Sequence, residues 1–247
     1  MDPRDDRASD IFPKTNWSLL RATSATAPES RAALDELCSL YRQPVLLLVR
    51  RYGFDEADAE DLVQEYFIAL LDRGFLELAD AGAGRFRSFL RTDVKWFLHN
   101  ARRKRATLRR GGGGVAVSLD RLRDESDFDA SCLQQQPDID DYFDRQCALE
   151  IVKAACTKLQ DDYRSKGKEA LFHLLQTGLT IPTGDRDYEA WAASLAMSPG
   201  SVKVAMHRLR ERFRCEVEEL VRQSVASEED FRQEMHHLRH SLSHGAR

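Results

Sequence analysis

The sequence predicts an all-α protein: two helical domains joined by an acidic, flexible linker, the second containing a helix-turn-helix. Three observations point there. Apolar residues recur at spacings of three and four in each apolar stretch, and no stretch alternates as a half-buried strand would. Charge is segregated. Arg85–Arg110 holds ten Lys/Arg and a single acid, Asp93, whereas Asp120–Asp144 holds nine acids and two arginines. A tight turn at Met197–Gly200 separates two helical patterns near the C-terminal end. The 247 residues suit one large or two small domains, and the net charge of −4 gives no global basic signature.

Residues 1–14 are polar and read as a disordered N-terminus, too acidic for a signal peptide. A first domain is expected over 15–110. Trp17, Leu19 and Leu20 open its apolar content, and Pro28 starts a long helical pattern with Leu34, Leu37, Cys38, Tyr41, Val45, Leu48 and Val49. Pro44 lies inside that pattern and should kink or divide it, having no N–H to donate. Gly53 ends it. In the next helix acids crowd the first turn, where the helix dipole favours them. Leu62, Val63, Tyr66, Phe67, Leu70 and Leu71 make its apolar face. Asp61, Gln64 and Glu65 share another face, either a solvated acidic surface or a docking face for a basic partner.

After a loop over 74–84 comes a basic helix. Phe86, Phe89, Leu90, Val94, Phe97 and Leu98 follow the helical period, surrounded by Arg85, Arg87, Arg91, Lys95, Arg102 and Arg103. Trp96, His99 and Asn100 are expected beside the core stripe. Stacking groups amid cations suit single-stranded nucleic acid, although a basic amphipathic helix with all its aromatics in the core has the same pattern. Gly111–Gly114 breaks the helix, and 111–141 reads as the linker. Its acids either keep two basic modules off the same DNA or occupy a channel built for nucleic acid.

The second domain is expected over 142–225. One helix spans about 144–164 with Cys147, Ile151, Val152, Ala155, Leu159 and Tyr163, and another spans 168–178. A helix near Tyr188–Ala196 then enters the tight turn. Ser198 suits the N-cap of the following helix and Pro199 its first position. Val202, Met206, Leu209 and Phe213 should bury, leaving Lys203, His207, Arg208, Arg210, Arg212 and Arg214 mostly off that stripe. A basic helix entered this way fits a DNA major groove, though an ordinary amphipathic helix reads the same. A C-terminal helical extension, 226–247, begins at the capping sequence Ser227–Glu228–Glu229–Asp230 and carries Phe231, Met235, Leu238 and Leu242 on one face.

Several classes are excluded. The five cysteines are scattered and form no CxxC, which argues for a reducing cytosol and against structural zinc. The longest apolar run, Val45–Val49, is too short to span a bilayer. There is no P-loop, nucleophile elbow or HExxH, and Gly111–Gly114 lacks the following Lys and Ser/Thr, so no enzyme is expected. His236, His240 and His244 recur every four residues, but no Cys or carboxylate set completes a site; neither metal nor cofactor is expected.

Taken together, DAEDLVQEYF (Asp58–Phe67), GRFRSFLRTDVKWFLHNARRKR (Gly84–Arg105) and MSPGSVKVAMHRLRERFR (Met197–Arg214) resemble bacterial RNA polymerase sigma factors of the sigma-70 family, extracytoplasmic-function group. The resemblance implies a transcription initiation factor and a cytoplasmic location. It implies docking on the beta-prime clamp helices through Asp58, Asp61, Gln64 and Glu65. The loop near Leu76–Gly84 would capture a flipped −10 base, with Arg85, Arg87, Lys95, Trp96, Asn100, Arg102 and Arg103 binding or melting −10 DNA. Ser201, Lys203, Val204, His207 and Arg208 would read the −35 element. The implied partners are the polymerase core, including the beta flap, and promoter DNA, with an anti-sigma factor or regulatory kinase left open. The residues also leave open a regulator that binds operator DNA without polymerase, and a sigma-like decoy.

Overall fold

A computed structural model describes residues 16, 28–72, 85–109, 137–181 and 183–243. The regular structure among them is α-helical: α1 (Pro28–Arg51), α2 (Glu56–Asp72), α3 (Phe86–Arg109), α4 (Pro137–Ser165), α5 (Glu169–Leu175), α6 (Thr177–Thr180), α7 (Asp185–Leu195), α8 (Pro199–Gln223) and α9 (Glu228–Ser243). Among the described residues one isolated antiparallel bridge, Arg85 to Val225, accompanies them. The all-α expectation holds. The flipped-base loop and nearly all of the expected linker lie outside the described residues.

Two compact units divide the chain. The first comprises residues 1–148 and 223–247, the second 149–222. These bounds differ from the expected ones in three ways. α4 starts at Pro137, inside the expected linker, because a proline in the first helical turn forfeits no helical hydrogen bond. The opening turns of α4 belong to the first unit, since Phe143 and Cys147 are fully buried in its core. The C-terminal extension, expected as a separate segment, groups with the first unit.

In the first unit α1, α2 and α3 bury one apolar face each. Tyr41, Val45, Leu48, Val63, Tyr66, Leu70, Phe86, Val94 and Phe97 are almost wholly removed from water. Each such side chain contributes on the order of 1.5–3 kcal/mol. Phe86 meets Tyr41 edge-on at 5.1 Å and Phe97 meets Tyr66 at 5.3 Å. Asp93, the lone acid of the basic stretch, turns inward and accepts a hydrogen bond from the Tyr66 hydroxyl at 2.9 Å. Pro44 is buried inside a single undivided α1. Gly53, at φ +85°, adopts the left-handed conformation that ends the helix. Asp55 caps α2 by accepting the Asp58 N–H at 2.9 Å.

The second unit packs Leu159, Tyr163, Phe172, Leu175, Ala192, Val202, Met206 and Leu209 into one cluster. Where one helix was expected over 168–178, α5 stops at Leu175 and the short α6 follows. Gly178 is wedged there: a Cβ would lie 2.8 Å from Thr183 Cγ2 and 3.0 Å from Met206 Sδ. The Gly178 carbonyl accepts two hydrogen bonds from Arg210, at 2.9 and 3.2 Å, so this arginine secures the segment before α7. Among the described residues Cys38, Cys147, Cys156 and Cys215 are free thiols. Burial, helped by Asp35, pushes Cys38 up to about 12, and burial holds Cys147 well above its ordinary value. Neither is a ready thiolate at neutral pH.

Candidate polymerase and nucleic-acid interfaces

On α2, Asp61, Gln64 and Glu65 are exposed on one face, as their spacing requires. Asp58 is only partly exposed and accepts a hydrogen bond from Arg105 at 2.8 Å, so its carboxylate is already engaged. The sequence reading misses Ile68. It is 51 % exposed and stands seven residues after Asp61, adding an apolar surface to the acidic face. Its signal was available: Ile68 falls outside the apolar stripe of its own helix.

The seven candidate residues of the basic stretch differ in exposure. Arg102 and Arg103 are exposed near the end of α3. Arg102 lies over the Tyr52 and Phe54 rings, 5.1 and 5.8 Å from their centroids, and donates to the Tyr52 carbonyl. Trp96 is half-buried. Arg85, Arg87, Lys95 and Asn100 are not on an open surface. Asn100, expected beside the core stripe, is buried, and its Nδ2 has no hydrogen-bond partner among the described residues.

Arg87 is 4 % exposed and grips two carboxylates. Its Nε and Nη2 donate to Glu234 of α9 at 2.5 and 3.1 Å, and its Nη1 pairs with Asp144 of α4. Arg91 reaches the other Asp144 oxygen at 2.8 Å, where the His237 ring also sits at 2.8 Å. Lys95, 7 % exposed, pairs with Asp140. Arg85 lies 4.0 Å from Asp230. The open cationic face expected at Arg87 and Lys95 is thus corrected to a closed one, because anions of the same chain neutralise it.

Helix periodicity explains the register. Residues 87, 91 and 95 form one stripe on α3, and 140 and 144 form one on α4. Residues 230, 234 and 237 form one on α9. The backbone adds a fastening: the Phe86 N–H donates to the Ser224 carbonyl at 2.8 Å. Burial alone would raise the Asp144 carboxyl, but the His237 hydrogen bond and the Arg87 and Arg91 charges hold it below the ordinary carboxylate value. Burial also works against the Arg87 charge, yet Glu234 and Asp144 raise its affinity for the proton further.

In the second unit the structure brings all five −35 candidates together. Ser201, Lys203, Val204, His207 and Arg208 are exposed on the first turns of α8. Ser198 caps that helix, its Oγ accepting the Ser201 N–H at 3.1 Å. Ala196, at φ +51°, makes the left-handed turn out of α7. Val202, Met206 and Leu209 bury as expected. Lys203 is tied back to α7, with Nζ 2.8 Å from Asp185 and 5.5 Å from the Tyr188 ring centroid. An open cleft of about 900 Å³ runs past the start of α8, lined by Tyr163, Lys168, Met197, Ser201, Val204 and Arg208 among others. Cationic and apolar side chains in one cleft suit phosphate and base contacts.

Among the described residues no helix is long and apolar enough to cross a membrane. No group of three metal-ligating side chains is present among them either, and His244 lies outside the described residues. Residues 37–107, which cover α1 from Leu37 through most of α3, match the family model of Sigma-70 region 2. No curated protein and no solved structure matches the chain.

Proposed function

With a Sigma-70 region 2 at residues 37–107, the chain belongs to the sigma-70 family of sigma factors, and from that premise we propose that it directs polymerase core to promoters as a member of the extracytoplasmic-function group. It acts in transcription initiation with RNA polymerase; the division of labour that follows is our reading. The first unit docks on the beta-prime clamp helices through Asp61, Gln64 and Glu65, with Ile68 as the apolar centre and Asp58 as a helix-positioning group held by Arg105. It opens and reads the −10 element with Trp96, Asn100, Arg102 and Arg103; Arg85, Arg87 and Lys95 join them only on release from Asp230, Glu234, Asp144 and Asp140. The second unit reads the −35 element in duplex form. There α7 and α8 act as the helix-turn-helix, and Ser201, Lys203, Val204, His207 and Arg208 face the groove. The protein is not an enzyme and works in the cytoplasm.

The observation that carries this reading is the match of 37–107 to region 2 on a chain whose α2 exposes an acidic face with an apolar residue in it. The test is binding of the full chain to purified core polymerase, with Asp61→Arg and Ile68→Glu beside the wild type. Each variant should weaken binding about tenfold or more, the equivalent of roughly 1.4 kcal/mol. Wild-type binding that neither change disturbs would remove α2 from the docking role.

A further inference from the structure

Four cations of the promoter-binding stretch are held by carboxylates that arrive from elsewhere in the chain. Glu234 lies 147 residues beyond Arg87, and Asp144 lies 57 residues beyond it. We infer that α9 and the opening turns of α4 form a latch over α3, and that promoter DNA and α9 compete for the same cationic stripe. This rests on the proposed role of α3 in −10 binding.

Three features support competition rather than permanent packing. First, the groups joined are the wrong ones for a simple core. Glu234 and Asp144 are each 3 % exposed, and Arg87 is 4 % exposed. Buried ion pairs add little net stability compared with apolar packing, whereas removing one partner alone is costly. An arginine that loses Glu234 must therefore find another anion, and a DNA phosphate is a bidentate substitute. Second, α9 is lightly held. Of its 16 residues, Glu234, Met235 and Leu238 are buried, and much of the remainder is exposed. Elements with few buried apolar contacts are the ones that open first. Third, the seam is charge-matched along its length. Arg85 meets Asp230, Arg87 meets Glu234 and Asp144, Arg91 meets Asp144, and Lys95 meets Asp140. The latch covers the N-terminal half of α3 and leaves Arg102 and Arg103 on the surface.

The test is hydrogen exchange of the full chain in three states: free, bound to core polymerase, and in a promoter complex with core. Displacement predicts that amides of 228–243 exchange about a hundredfold faster in the promoter complex, while buried α1 amides keep their protection. A promoter complex in which 228–243 remains as protected as in the free chain overturns the latch and leaves the sigma-factor reading standing. Conversely, no core binding and no promoter complex would refute that reading. A second arm needs no polymerase. Glu234→Gln, checked for retained helix content by circular dichroism, should bind a mixed-sequence single-stranded oligonucleotide about tenfold more tightly than wild type at low salt. A folded Glu234→Gln chain with unchanged oligonucleotide affinity contradicts the latch. Should that variant lose its helices, the exchange experiment on the wild type decides.

Discussion

Replacing Arg87 with Met should destabilise the first unit severely, and the structure sets the size of the effect. The guanidinium makes two hydrogen bonds to Glu234, at 2.5 and 3.1 Å, and pairs with Asp144. Asp144 keeps Arg91 and His237, both at 2.8 Å. Glu234 keeps no ion pair among the described residues. Arg87→Met therefore strands one carboxylate at 3 % exposure, a loss of about 3–5 kcal/mol. That is a large fraction of the roughly 5–15 kcal/mol by which domains are stable. Arg87→Met with Glu234→Met removes both charges and keeps similar volume. It should recover most of the loss, to within about 1 kcal/mol of wild type, since well-packed apolar replacements of buried pairs are often neutral. The assay is urea unfolding of the full chain and the variants, followed by hydrogen exchange in α1–α3, which reports the first unit apart from the second. An unfolding midpoint unmoved by Arg87→Met would mean that Arg87 is solvated. A double variant as unstable as the single one would mean that Glu234 is not its partner.

Three further outcomes follow from the same geometry. Gly178→Val should destabilise the second unit by about 1–3 kcal/mol through overpacking against Thr183, Met206 and Trp191, and leave exchange in α1–α3 unchanged; thermal unfolding with exchange in α8 reads this. Arg208→Ala should weaken duplex binding at every sequence and reduce the salt slope by about 1, measured by fluorescence anisotropy over a salt series. Asp144 is held below its ordinary carboxylate value, so its stabilising contribution is complete above about pH 4 and is lost as the pH falls through its lower folded value. An acid titration of α9 exchange should accordingly show a step below about pH 4 that Asp144→Asn lacks.

The parts of the fold that depend on local spacing are legible in the sequence. The apolar period places Val202, Met206 and Leu209 in the core, and Ser198 caps α8 as its residue type suggests. Ser227 likewise caps α9, accepting the Asp230 N–H at 3.1 Å. The all-α class follows from the same periodicity. What fails is burial decided by distant partners. Arg87 and Lys95 look solvent-facing because charged residues rarely bury unless paired, and their anions lie on α4 and α9. A signal was present in the i, i+4 spacing of Asp140 and Asp144, and of Asp230 and Glu234, matching that of Arg87, Arg91 and Lys95. The sharp change from a basic to an acidic block pointed to the same seam. Nothing local distinguishes a linker acid from one in a helix, so the start of α4 at Pro137 was not legible. The contribution of α9 to the first unit rests on the Asp230, Glu234 and His237 contacts, which only tertiary structure reveals.

The functional reading stands on one reaction: run-off transcription by purified bacterial core polymerase on a library of promoter-like DNA, with and without the full chain. A sigma factor with these two units should give transcripts that depend on the protein, from templates enriched for two elements, one at −10 and one at −35. Core polymerase that starts no transcript in the presence of this chain on any template would contradict it.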